Sequence, residues 1–420
     1  MRTKTTAPVP LVGRDAELAA LGTRLLDQDV RLITVTGQVG VGKSRLVAAL
    51  FNQVRDQFSD GGAYLDDLTD AAIDGLRDQH FLLAVDGCED KTGDLAPKLA
   101  SLVTACPRVS ALVASPARLG VYGEAVVRLA PLQLPDAVRL FVERTQAVRP
   151  DFRLTEANRS AVAELCARTD GVPLAIELLA AGMELSSPHR LLAEVDRDLG
   201  CLTGTGSATL SRHHSMTAAI EWSLARLDPD ERDLLARLAV FTGHFDVPAA
   251  TAVGRAPRLL VGLVDKNLLS TTECQDGDLI FRMSGPTRRY LVQRHEHRAA
   301  RRSHAEYFLG MVDEAPPLEL LEAWHPDIEA ARTYLDESGD QAGVTRLADS
   351  LKRRRRVDHP LTNREFEVAQ LVACGMTNRE VARKLGIAEW TAVNHMRKIM
   401  RKLECSSRVQ VASWLTTLDR

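Results

Sequence analysis

Apolar residues recur along the chain with two different periods, which separate a sheet-forming part from helical parts. The runs LITVT (32–36) and FLLAV (81–85) are β-branched or apolar, as is typical of strands buried on both faces of a parallel sheet. Over residues 136–199, apolar residues recur at i, i+3, i+4 and i+7, which predicts amphipathic helices. The pattern of residues 214–307 predicts further helices. The Asp-Gly turn in TTECQDGDLIFRM (271–283) predicts the hairpin of a winged helix.

Length and composition predict a multidomain protein of the cytoplasm. Its 420 residues, 45% hydrophobic and 26% charged, can form two or more cores, because single domains usually have about 100 to 200 residues. The sequence has no uncharged apolar stretch of roughly 18 residues, and its N-terminus lacks the apolar centre of a signal peptide. The 7 cysteines are never closer than 18 positions apart, which excludes a CxxC zinc site and fits reduced thiols.

Charge is distributed unevenly between the two ends of the chain. Residues 351–420 contain 15 Lys and Arg against 7 Asp and Glu, a surplus of +8, whereas the preceding residues carry −11 within a net charge of −3. A small basic segment on an acidic body indicates a nucleic-acid-binding domain attached to a regulatory protein. A basic face that is merely solvated is the alternative, and charge alone leaves it open.

The stretch GQVGVGKS (37–44) fits the phosphate-binding pattern G-x-x-x-x-G-K-[ST], between a predicted strand and a predicted helix. Its glycines allow backbone N–H groups to close around phosphate oxygens, helped by the positive end of the helix. Lys43 would neutralise the β and γ phosphates, and the Ser44 hydroxyl would bind Mg²⁺. The pattern therefore predicts a site for ATP or ADP with Mg²⁺. The predicted loop residues are Gly37, Gln38, Val39, Gly40, Val41, Gly42, Lys43 and Ser44.

An aspartate at the end of the second predicted strand is the candidate for a second metal ligand. Asp86 follows FLLAV and lies 43 residues after Lys43. Because ligands bind at the carboxyl ends of strands in open α/β sheets, we expect Asp86 to hold Mg²⁺ together with Ser44. A turn-forming aspartate is the alternative interpretation of the same position. Glu89 is the nearest remaining carboxylate that could orient a water for hydrolysis.

Four motifs of the chain resemble those of signal-transducing ATPases of the STAND class. They are LVGRDAEL (11–18), GQVGVGKS (37–44), LAVDGCED (83–90) and GVPLA (171–175). With further similar stretches over most of the chain, they resemble bacterial regulators that join an NB-ARC-like module to a LuxR-type DNA-binding domain. The resemblance implies that Val12, Gly13 and Arg14 lie near the adenine, and that Pro173 packs on the base. It also implies that the winged helix packs on the nucleotide module, although direct DNA binding by that domain stays open.

The chain departs from this family pattern at several positions that bear on hydrolysis. Gly87 follows the metal aspartate, where related sequences usually have Asn or Asp, and Pro116 replaces the usual phosphate-sensing arginine. Arg118 stands two positions later, and the stretch MSG (283–285) lacks the His-Asp pair known from some NB-ARC proteins. The interval between Lys43 and Asp86 also looks short, as if a helix and a strand of the usual core were trimmed. We therefore expect slow hydrolysis or none.

The C-terminal stretch 361–414 resembles the LuxR/NarL helix-turn-helix nearly position for position. Its first helix would be capped by Thr362 or Asn363, and its second by Thr377 or Asn378. A turn at Gly386 would precede the recognition helix, Glu389 to Leu403. The residues predicted to form the core of this domain are Val372, Val381, Leu385, Ile387, Ile399 and Leu403.

The recognition helix carries the predicted DNA contacts on one polar face. Arg397 can bind guanine N7 and O6 bidentately, whereas Lys398 and Lys402 suit phosphates. The family positions of Thr391 and His395 usually contact the DNA backbone or hold the domain together. A solvated helix face is the alternative. The full predicted set is Thr391, Asn394, His395, Arg397, Lys398, Arg401 and Lys402.

The predicted fold is multidomain: an α/β P-loop NTPase with helical and winged-helix domains, followed by an all-α helix-turn-helix domain. The expected ranges are 1–135 for nucleotide binding, 136–210 for the helical domain, 211–310 for the winged helix, 311–356 for a helical linker that could be a repeat remnant, and 357–420 for DNA binding.

The predicted function is transcriptional regulation, in which ATP or ADP in the STAND-type module controls DNA binding and is hydrolysed slowly. A homodimer or larger oligomer, paired through VQVASWLTTL (409–418), would bind double-stranded DNA at an inverted repeat, without a membrane. Two alternatives stay open. One is a turnover ATPase that its DNA-binding domain only localises, and the other is a DNA-binding protein whose degenerate nucleotide module serves as an interaction scaffold.

Overall fold

The computed structural model divides at His304 and Ala305 into two compact units, which we describe separately. The residues that it describes are 11–26, 30–86, 92–197, 215–254, 256–273, 277–295, 297–314, 316, 318–357, 361–373, 376–385, 387, 389–403, 405, 407, 408, 410–412 and 414.

The first unit contains a five-stranded parallel sheet, as the apolar runs predict. Its strands are β1 (Leu32–Thr36), β2 (Gly62–Leu65), β3 (Phe81–Val85), β4 (Val109–Ala114) and β5 (Glu124–Arg128), in the spatial order β2-β3-β4-β1-β5. The interior strands β1 and β4 are buried along their whole length, whereas the edge strand β5 is only partly buried. Residues pointing to opposite faces of the sheet therefore contribute to two separate hydrophobic clusters.

Helices precede and connect these strands. They are α1 (Asp15–Leu26), α2 (Lys43–Val54), α3 (Asp70–Asp74) and α4 (Thr92–Ala105), with a 3₁₀ turn at Arg55–Gln57. The interval between α2 and β3 holds both β2 and the five-residue α3. Both elements are short, with four residues in β2 and five in α3, and a four-residue strand is too short to stand out from the apolar pattern.

A helical segment follows the sheet, as the 3.6-residue period predicts. Its helices are α5 (Leu134–Val148), α6 (Glu156–Arg168), α7 (Pro173–Gly182) and α8 (Pro188–Arg197). A capping box begins α6: the Asn158 side chain accepts a hydrogen bond from the Thr155 backbone N–H at 2.8 Å. Pro173 occupies the first turn of α7, where its missing N–H leaves no helical hydrogen bond unmade.

The next segment is a winged helix built on a small antiparallel sheet. Its elements are α9 (Met216–Leu224), α10 (Pro229–Leu238), β6 (His244–Phe245), α11 (Val247–Gly254), a 3₁₀ turn at Pro257–Leu259, α12 (Leu260–Asp265), β7 (Leu269–Glu273), β8 (Leu279–Met283) and α13 (Gly285–Arg294). Strands β7 and β8 pair with Thr271 opposite Phe281, which confirms the predicted hairpin. Phe245 stacks between Phe241 and Phe281, at ring-centroid distances of 4.8 and 5.9 Å.

The remaining helices lead into and form the second unit. They are α14 (Arg298–Asp313), α15 (Leu318–Ala323), α16 (His325–Ser338), α17 (Gln341–Val357), α18 (Asn363–Ala373), α19 (Asn378–Leu385) and α20 (Glu389–Lys402). Trp324 is buried before α16, with its ring 5.4 Å from the ring of Phe308. The basic run KRRRR (352–356) belongs to the end of α17. Among the described residues, no helix has the length and apolarity that crossing a membrane requires.

Candidate nucleotide site and DNA-binding surface

The loop between β1 and α2 adopts a backbone that side chains would disturb. Gly40 has φ 78°, and a Cβ there would lie 2.7 Å from Cβ of Leu174. Gly42 has φ 101°, but a Cβ there would meet nothing within 4 Å. At Gly42 the constraint is therefore the left-handed backbone, and the space beside it is open. This combination suits a loop that leaves room for a phosphate next to the start of α2.

The first residue of α2, Lys43, places a positive charge inside this loop. Lys43 Nζ donates hydrogen bonds to the carbonyl oxygens of Gly37 at 2.9 Å and Gln38 at 3.1 Å. On the other side of the loop, the Gly40 carbonyl accepts a hydrogen bond from the Leu174 N–H at 3.1 Å. The loop is thus held between β1 and the start of α7, with the ammonium group at its interior.

Ser44 and Asp86 meet at the carboxyl edge of the sheet, as the motif spacing predicts. The Ser44 hydroxyl donates to Oδ1 of Asp86 at 2.8 Å, and Asp86 is only 7% exposed. The Tyr64 hydroxyl donates to the other carboxylate oxygen, Oδ2, at 3.0 Å. Hydroxyl and carboxylate oxygens are ligands that Mg²⁺ accepts in proteins. The pair therefore has the donor chemistry for a metal, although the role stays a prediction.

Tyr64 is a residue of this site that the sequence analysis missed. It lies in β2, opposite Ala84 of β3, and is buried. Burial holds the pKa of the Tyr64 hydroxyl well above its usual value, and the nearby Asp86 carboxylate raises it further. The side chain is therefore a neutral hydrogen-bond donor to Asp86. The one clue in the sequence was a tyrosine within the short apolar run GAYL (62–65), just before two aspartates.

We expect Tyr64→Phe to lower the free energy of unfolding by about 1.5 to 3 kcal/mol at pH 8. The reason is that the Asp86 carboxylate, a charged acceptor, loses the hydrogen bond that the Tyr64 hydroxyl donates. Because the pKa of Tyr64 is higher in the folded state than in the unfolded state, its contribution to the free energy of unfolding is present below about pH 10 and is lost at higher pH. The difference between wild type and variant should therefore shrink as the pH rises past 10. Urea unfolding at pH 8 and at pH 10.5 measures this difference.

The control for this prediction is Tyr122→Phe, since Tyr122 is 98% exposed. It should leave the unfolding free energy unchanged at both pH values. A Tyr64→Phe difference that stays constant between pH 8 and 10.5 would contradict the raised pKa.

The residues implied to lie near the adenine are engaged in protein contacts. The Arg14 guanidinium, 4% exposed, donates to the Ala130 carbonyl at 2.5 Å and to Glu17 Oε1 at 2.6 Å. Gly13 has φ 65°, and a Cβ there would lie 2.5 Å from Cγ of Asp136. Val12 is buried as well. These residues fix the start of α1 against the segment before α5, and their contact with adenine stays a prediction.

The phosphate-binding loop faces a cavity of about 290 Å³ whose far side belongs to the winged helix. From the predicted site, the lining residues are Gly37, Gln38, Val39, Gly40, Gly42, Lys43, Ser44, Asp86 and Pro173. Val41 does not line it and packs in the core beneath the sheet. Neither Val12 nor Arg14 lines it. A second cavity of about 710 Å³ adjoins it along Gly37 and Gln38, and Ala130, the acceptor for Arg14, lines that one.

The far side of the first cavity is cationic, polar and aromatic. Trp222 and Arg226 of the winged helix line it, with the guanidinium 5.0 Å from the centre of the indole ring. Lys266 also lines it, and its ammonium forms an ion pair with Glu231, a buried residue of α10. A ligand in this cavity would therefore touch the phosphate-binding loop and the winged helix together.

Two positions that depart from the family pattern, Pro116 and Arg118, lie just after β4. Pro116 lines the first cavity, and its carbonyl accepts a hydrogen bond from Asn267 Nδ2 at 2.6 Å. Arg118 does not line the cavity; its guanidinium is 3.1 Å from the carboxylate of Asp265 in α12. The end of β4 thus contacts the winged helix, as the resemblance implies. Glu89, the candidate for positioning water, lies outside the described residues, as does Gly87.

In the second unit, threonines cap the helices of the helix-turn-helix. The Thr362 N–H donates to the Glu365 carboxylate at 2.8 Å, and the Thr377 N–H donates to the Glu380 carboxylate at 2.7 Å. Each threonine hydroxyl in turn accepts from the N–H of that glutamate at 3.4 Å. Of the two capping residues considered for each helix, Thr362 and Thr377 are therefore the correct ones. The predicted turn residue Gly386 lies outside the described residues.

The predicted core of this domain is confirmed. Val372, Val381 and Ile399 are buried in one cluster, and Leu385, Ile387 and Leu403 pack against it. The recognition helix α20 ends one residue before the predicted Leu403. The predicted pairing segment 409–418 lies largely outside the described residues.

Most of the predicted DNA contacts share one concave surface of α20. The residues that line it are Trp390, Thr391, Asn394, His395, Arg397, Lys398 and Arg401. Arg397, Lys398 and Arg401 are exposed. His395 is half-buried, and its Nδ1 atom has no hydrogen-bond partner in the part of the chain that the structure describes. Lys402 does not line this surface, so the structure separates it from the other predicted contacts.

Lys402 is bound within the domain. Its ammonium donates to Glu365 Oε2 at 2.6 Å, and the Glu365 side chain is only 5% exposed. Burial opposes ionisation of Glu365, but the hydrogen bonds from Lys402 and Thr362 outweigh it, so its pKa lies below the usual value. These contacts favour a stabilising role for Lys402 over the predicted phosphate contact.

We expect Lys402→Met to destabilise the helix-turn-helix by about 1 to 3 kcal/mol, because it leaves the buried Glu365 carboxylate without its charged donor. A depressed pKa contributes stability that is present above the unfolded value, near 4.5, and is lost as the pH falls through the lower folded-state value. The wild-type advantage should therefore shrink in acid. Hydrogen exchange of residues 361–403 in the full chain, at pH 7 and pH 4, measures local stability.

Lys398→Met is the matched control, because Lys398 is exposed on the same helix. It should leave exchange protection unchanged. Equal protection in Lys402→Met and Lys398→Met at pH 7 would show that the pair with Glu365 contributes nothing.

Comparison with known proteins places the chain. The uncharacterized protein Rv0894 of Mycobacterium tuberculosis is 38% identical over 270 residues, which cover 58% of this chain and 68% of that protein. The chain belongs to the family of Rv0894. A second protein of the same organism, Rv0890c, carries the name of an HTH-type transcriptional regulator and is 32% identical over 299 residues, or 63% of this chain and 34% of that protein. The nitrate/nitrite response regulator NarL of Escherichia coli is 30% identical over 105 residues, or 25% of this chain and 48% of NarL.

Family models match three parts of this member of the Rv0894 family. An AAA ATPase domain matches residues 10–176, a winged helix-turn-helix domain matches residues 227–296, and the luxR family of bacterial regulatory proteins matches residues 359–415. The predicted fold class and the predicted combination of ATPase, winged helix and LuxR-type domain are confirmed. The AAA ATPase domain implies nucleotide binding, and the LuxR-type helix-turn-helix implies DNA binding.

Proposed function

We propose that this protein is a transcriptional regulator whose DNA binding is controlled by the nucleotide in its ATPase domain. The observation that carries the proposal is the cavity that the phosphate-binding loop shares with the winged helix. A nucleotide there contacts both domains, so ATP and ADP can favour different packing of the winged helix. A ligand shifts a conformational equilibrium only when it interacts differently with the two states.

The phosphate-binding loop and its metal residues fit MgATP or MgADP. The open space beside Gly42 accepts a phosphate, and Lys43 already carries its charge inside the loop. Ser44 and Asp86, 2.8 Å apart, would hold Mg²⁺, which neutralises phosphate charge and polarises the phosphoryl oxygens. Tyr64 would orient the carboxylate through its hydrogen bond to Oδ2.

We propose that the nucleotide acts as a latch and turns over slowly. Pro116 follows β4 by two residues and contributes a backbone carbonyl to the contact with Asn267. The nearby Arg118 is paired with Asp265 and does not line the cavity. Among the described residues that directly follow β4, none brings a cation into the cavity, which leaves less stabilisation for the charge that develops on transferring phosphate.

We propose further that α20 binds the major groove of double-stranded DNA and that the protein binds as a dimer at an inverted repeat. The exposed cations on one surface of α20 support the groove contact. A two-fold arrangement is the common solution for helix-turn-helix proteins, because two helices then enter successive major grooves.

The experiment measures nucleotide content, turnover and operator affinity on the same purified full-length protein. A binding duplex is first selected from random sequences, and its affinity and the oligomeric size are then compared for the apo, ADP and ATP forms. We expect bound nucleotide, turnover well below about 1 s⁻¹, and different affinity or size between the ADP and ATP forms.

Other outcomes would favour the alternatives. Turnover above about 1 s⁻¹ would favour a working ATPase that the DNA-binding domain localises. Absence of nucleotide binding would favour an interaction scaffold. Equal affinity and equal size for all three forms would contradict control by the nucleotide.

A further inference from the structure

An exposed tryptophan stands at the start of the recognition helix and has no place in the predicted set of DNA contacts. Trp390 is the second residue of α20 and is 74% exposed. The other three tryptophans are engaged: Trp324 is 3% exposed, Trp222 carries Arg226 over its ring, and Trp414 packs on the core of the helix-turn-helix. A large indole left in water is uncommon unless it serves an interface.

The position of Trp390 on α20 places it among the cationic groups. Residues 390, 394, 397 and 401 follow one another at intervals of four, three and four, so they form one stripe of a helix. The opposite side of α20 is fixed in the core by Ala392, Met396 and Ile399. Trp390 lines the same concave surface as Asn394, Arg397 and Arg401.

We infer that the Trp390 side chain contacts an apolar group of the DNA, at the edge of the site bound by α20. The inference rests on the proposed function of α20. The cations beside the indole identify the occupant as a polyanion, and an apolar ring among them suits an apolar group within that polyanion. Duplex DNA offers two such groups at the groove edge, the thymine methyl group and the deoxyribose ring.

A tryptophan is well suited to this contact. It covers a large area with only two side-chain torsions, so its ordering costs little for the surface that it buries. Asn394, one turn further along the stripe, has the amide that pairs with adenine N6 and N7. Contact of Trp390 with a thymine methyl near that adenine would add preference for an A·T step, whereas contact with deoxyribose would add affinity alone.

The experiment titrates the full-length protein on its selected duplex, with Trp390→Ala, Trp390→Phe and Arg397→Ala as variants. We expect Trp390→Ala to weaken binding roughly tenfold and Trp390→Phe to retain most of the affinity, because a smaller ring remains. Unchanged thermal stability of Trp390→Ala would show that the loss is one of contact. Iodide should quench Trp390 in the free protein and less in the complex, with Trp390→Phe supplying the background of the other tryptophans.

Replacing single thymines of the duplex with deoxyuridine separates the two DNA groups, because it removes the methyl group alone. If wild type loses several-fold affinity at one position and Trp390→Ala loses none there, the partner is the thymine methyl. If no replacement matters while Trp390→Ala still binds weakly, the partner is deoxyribose. Both results support the inference.

Wild-type affinity in Trp390→Ala, with unchanged iodide quenching in the complex, would overturn it. A variant that binds DNA normally but changes oligomeric size would also overturn it and assign the indole to a second copy of this chain. Failure of wild type to bind any selected duplex would instead refute the proposed function. The loss of cognate affinity and of preference at one base pair in Arg397→Ala provides the independent reference for DNA contact by α20.

Discussion

Replacing Lys43 with alanine should abolish measurable binding of ADP and ATP. The Lys43 ammonium lies within hydrogen-bond distance of the Gly37 and Gln38 carbonyls, so its charge is in place before a phosphate enters. Each hydrogen bond between charged groups is worth about 1.5 to 3 kcal/mol. Loss of two such bonds would weaken binding by roughly 100-fold or more.

Thermal unfolding with and without MgADP measures this effect in the full chain. A ligand at 100 times its dissociation constant stabilises the folded protein by about 2.7 kcal/mol. Wild type should therefore shift and Lys43→Ala should not. Lys98→Ala is the matched control, because Lys98 lies in α4 and does not line the cavity. Retention of wild-type affinity in Lys43→Ala would refute the assignment of this loop as the phosphate site.

Replacing Arg397 with alanine should cost about 1 to 3 kcal/mol on the cognate duplex and should relax preference at one base pair. Arg397 is exposed on the concave surface of α20, whose opposite side is buried in the core. An arginine held there can donate two parallel hydrogen bonds to guanine N7 and O6, and no other base pair offers that acceptor pair in the major groove.

The control is Lys398→Ala, one residue further along the same helix. A phosphate contact would be lost equally on all sequences, and the slope of log affinity against log salt would flatten by about one unit. Titrations of both variants on cognate and scrambled duplexes at several salt concentrations distinguish the two roles. If Arg397→Ala weakens cognate and scrambled binding by the same factor, Arg397 contacts the DNA backbone and its assignment is wrong.

The two variants also separate the halves of the proposed switch. Lys43→Ala should remove nucleotide binding while α20 keeps its exposed cations, because Lys43 and Arg397 belong to different units of the chain. Arg397→Ala should keep nucleotide binding. If the two sites are coupled, the affinity of Lys43→Ala for the selected duplex should equal that of nucleotide-free wild type and differ from that of nucleotide-bound wild type.

The sequence by itself determined the features whose residues are neighbours along the chain. The loop 37–44 needs glycines, Lys43 and Ser44 in one order, and that order imposes its shape between β1 and α2. The helix-turn-helix is equally local, because its caps, its turn and its apolar period lie within 361–403. Asp86 was predictable because a strand buried on both faces ends directly before it.

Only the tertiary structure decided which side chains these residues meet. Tyr64 reaches Asp86 because β2 pairs in register with β3, and a four-residue strand carries too little pattern to announce its place. Arg118 pairs with Asp265, 147 positions away, and Lys402 pairs with Glu365, 37 positions away. Such contacts depend on the order of strands and the packing of helices. Spacing along the chain determines the shape of a motif, whereas packing determines which of its charges remain exposed for a ligand.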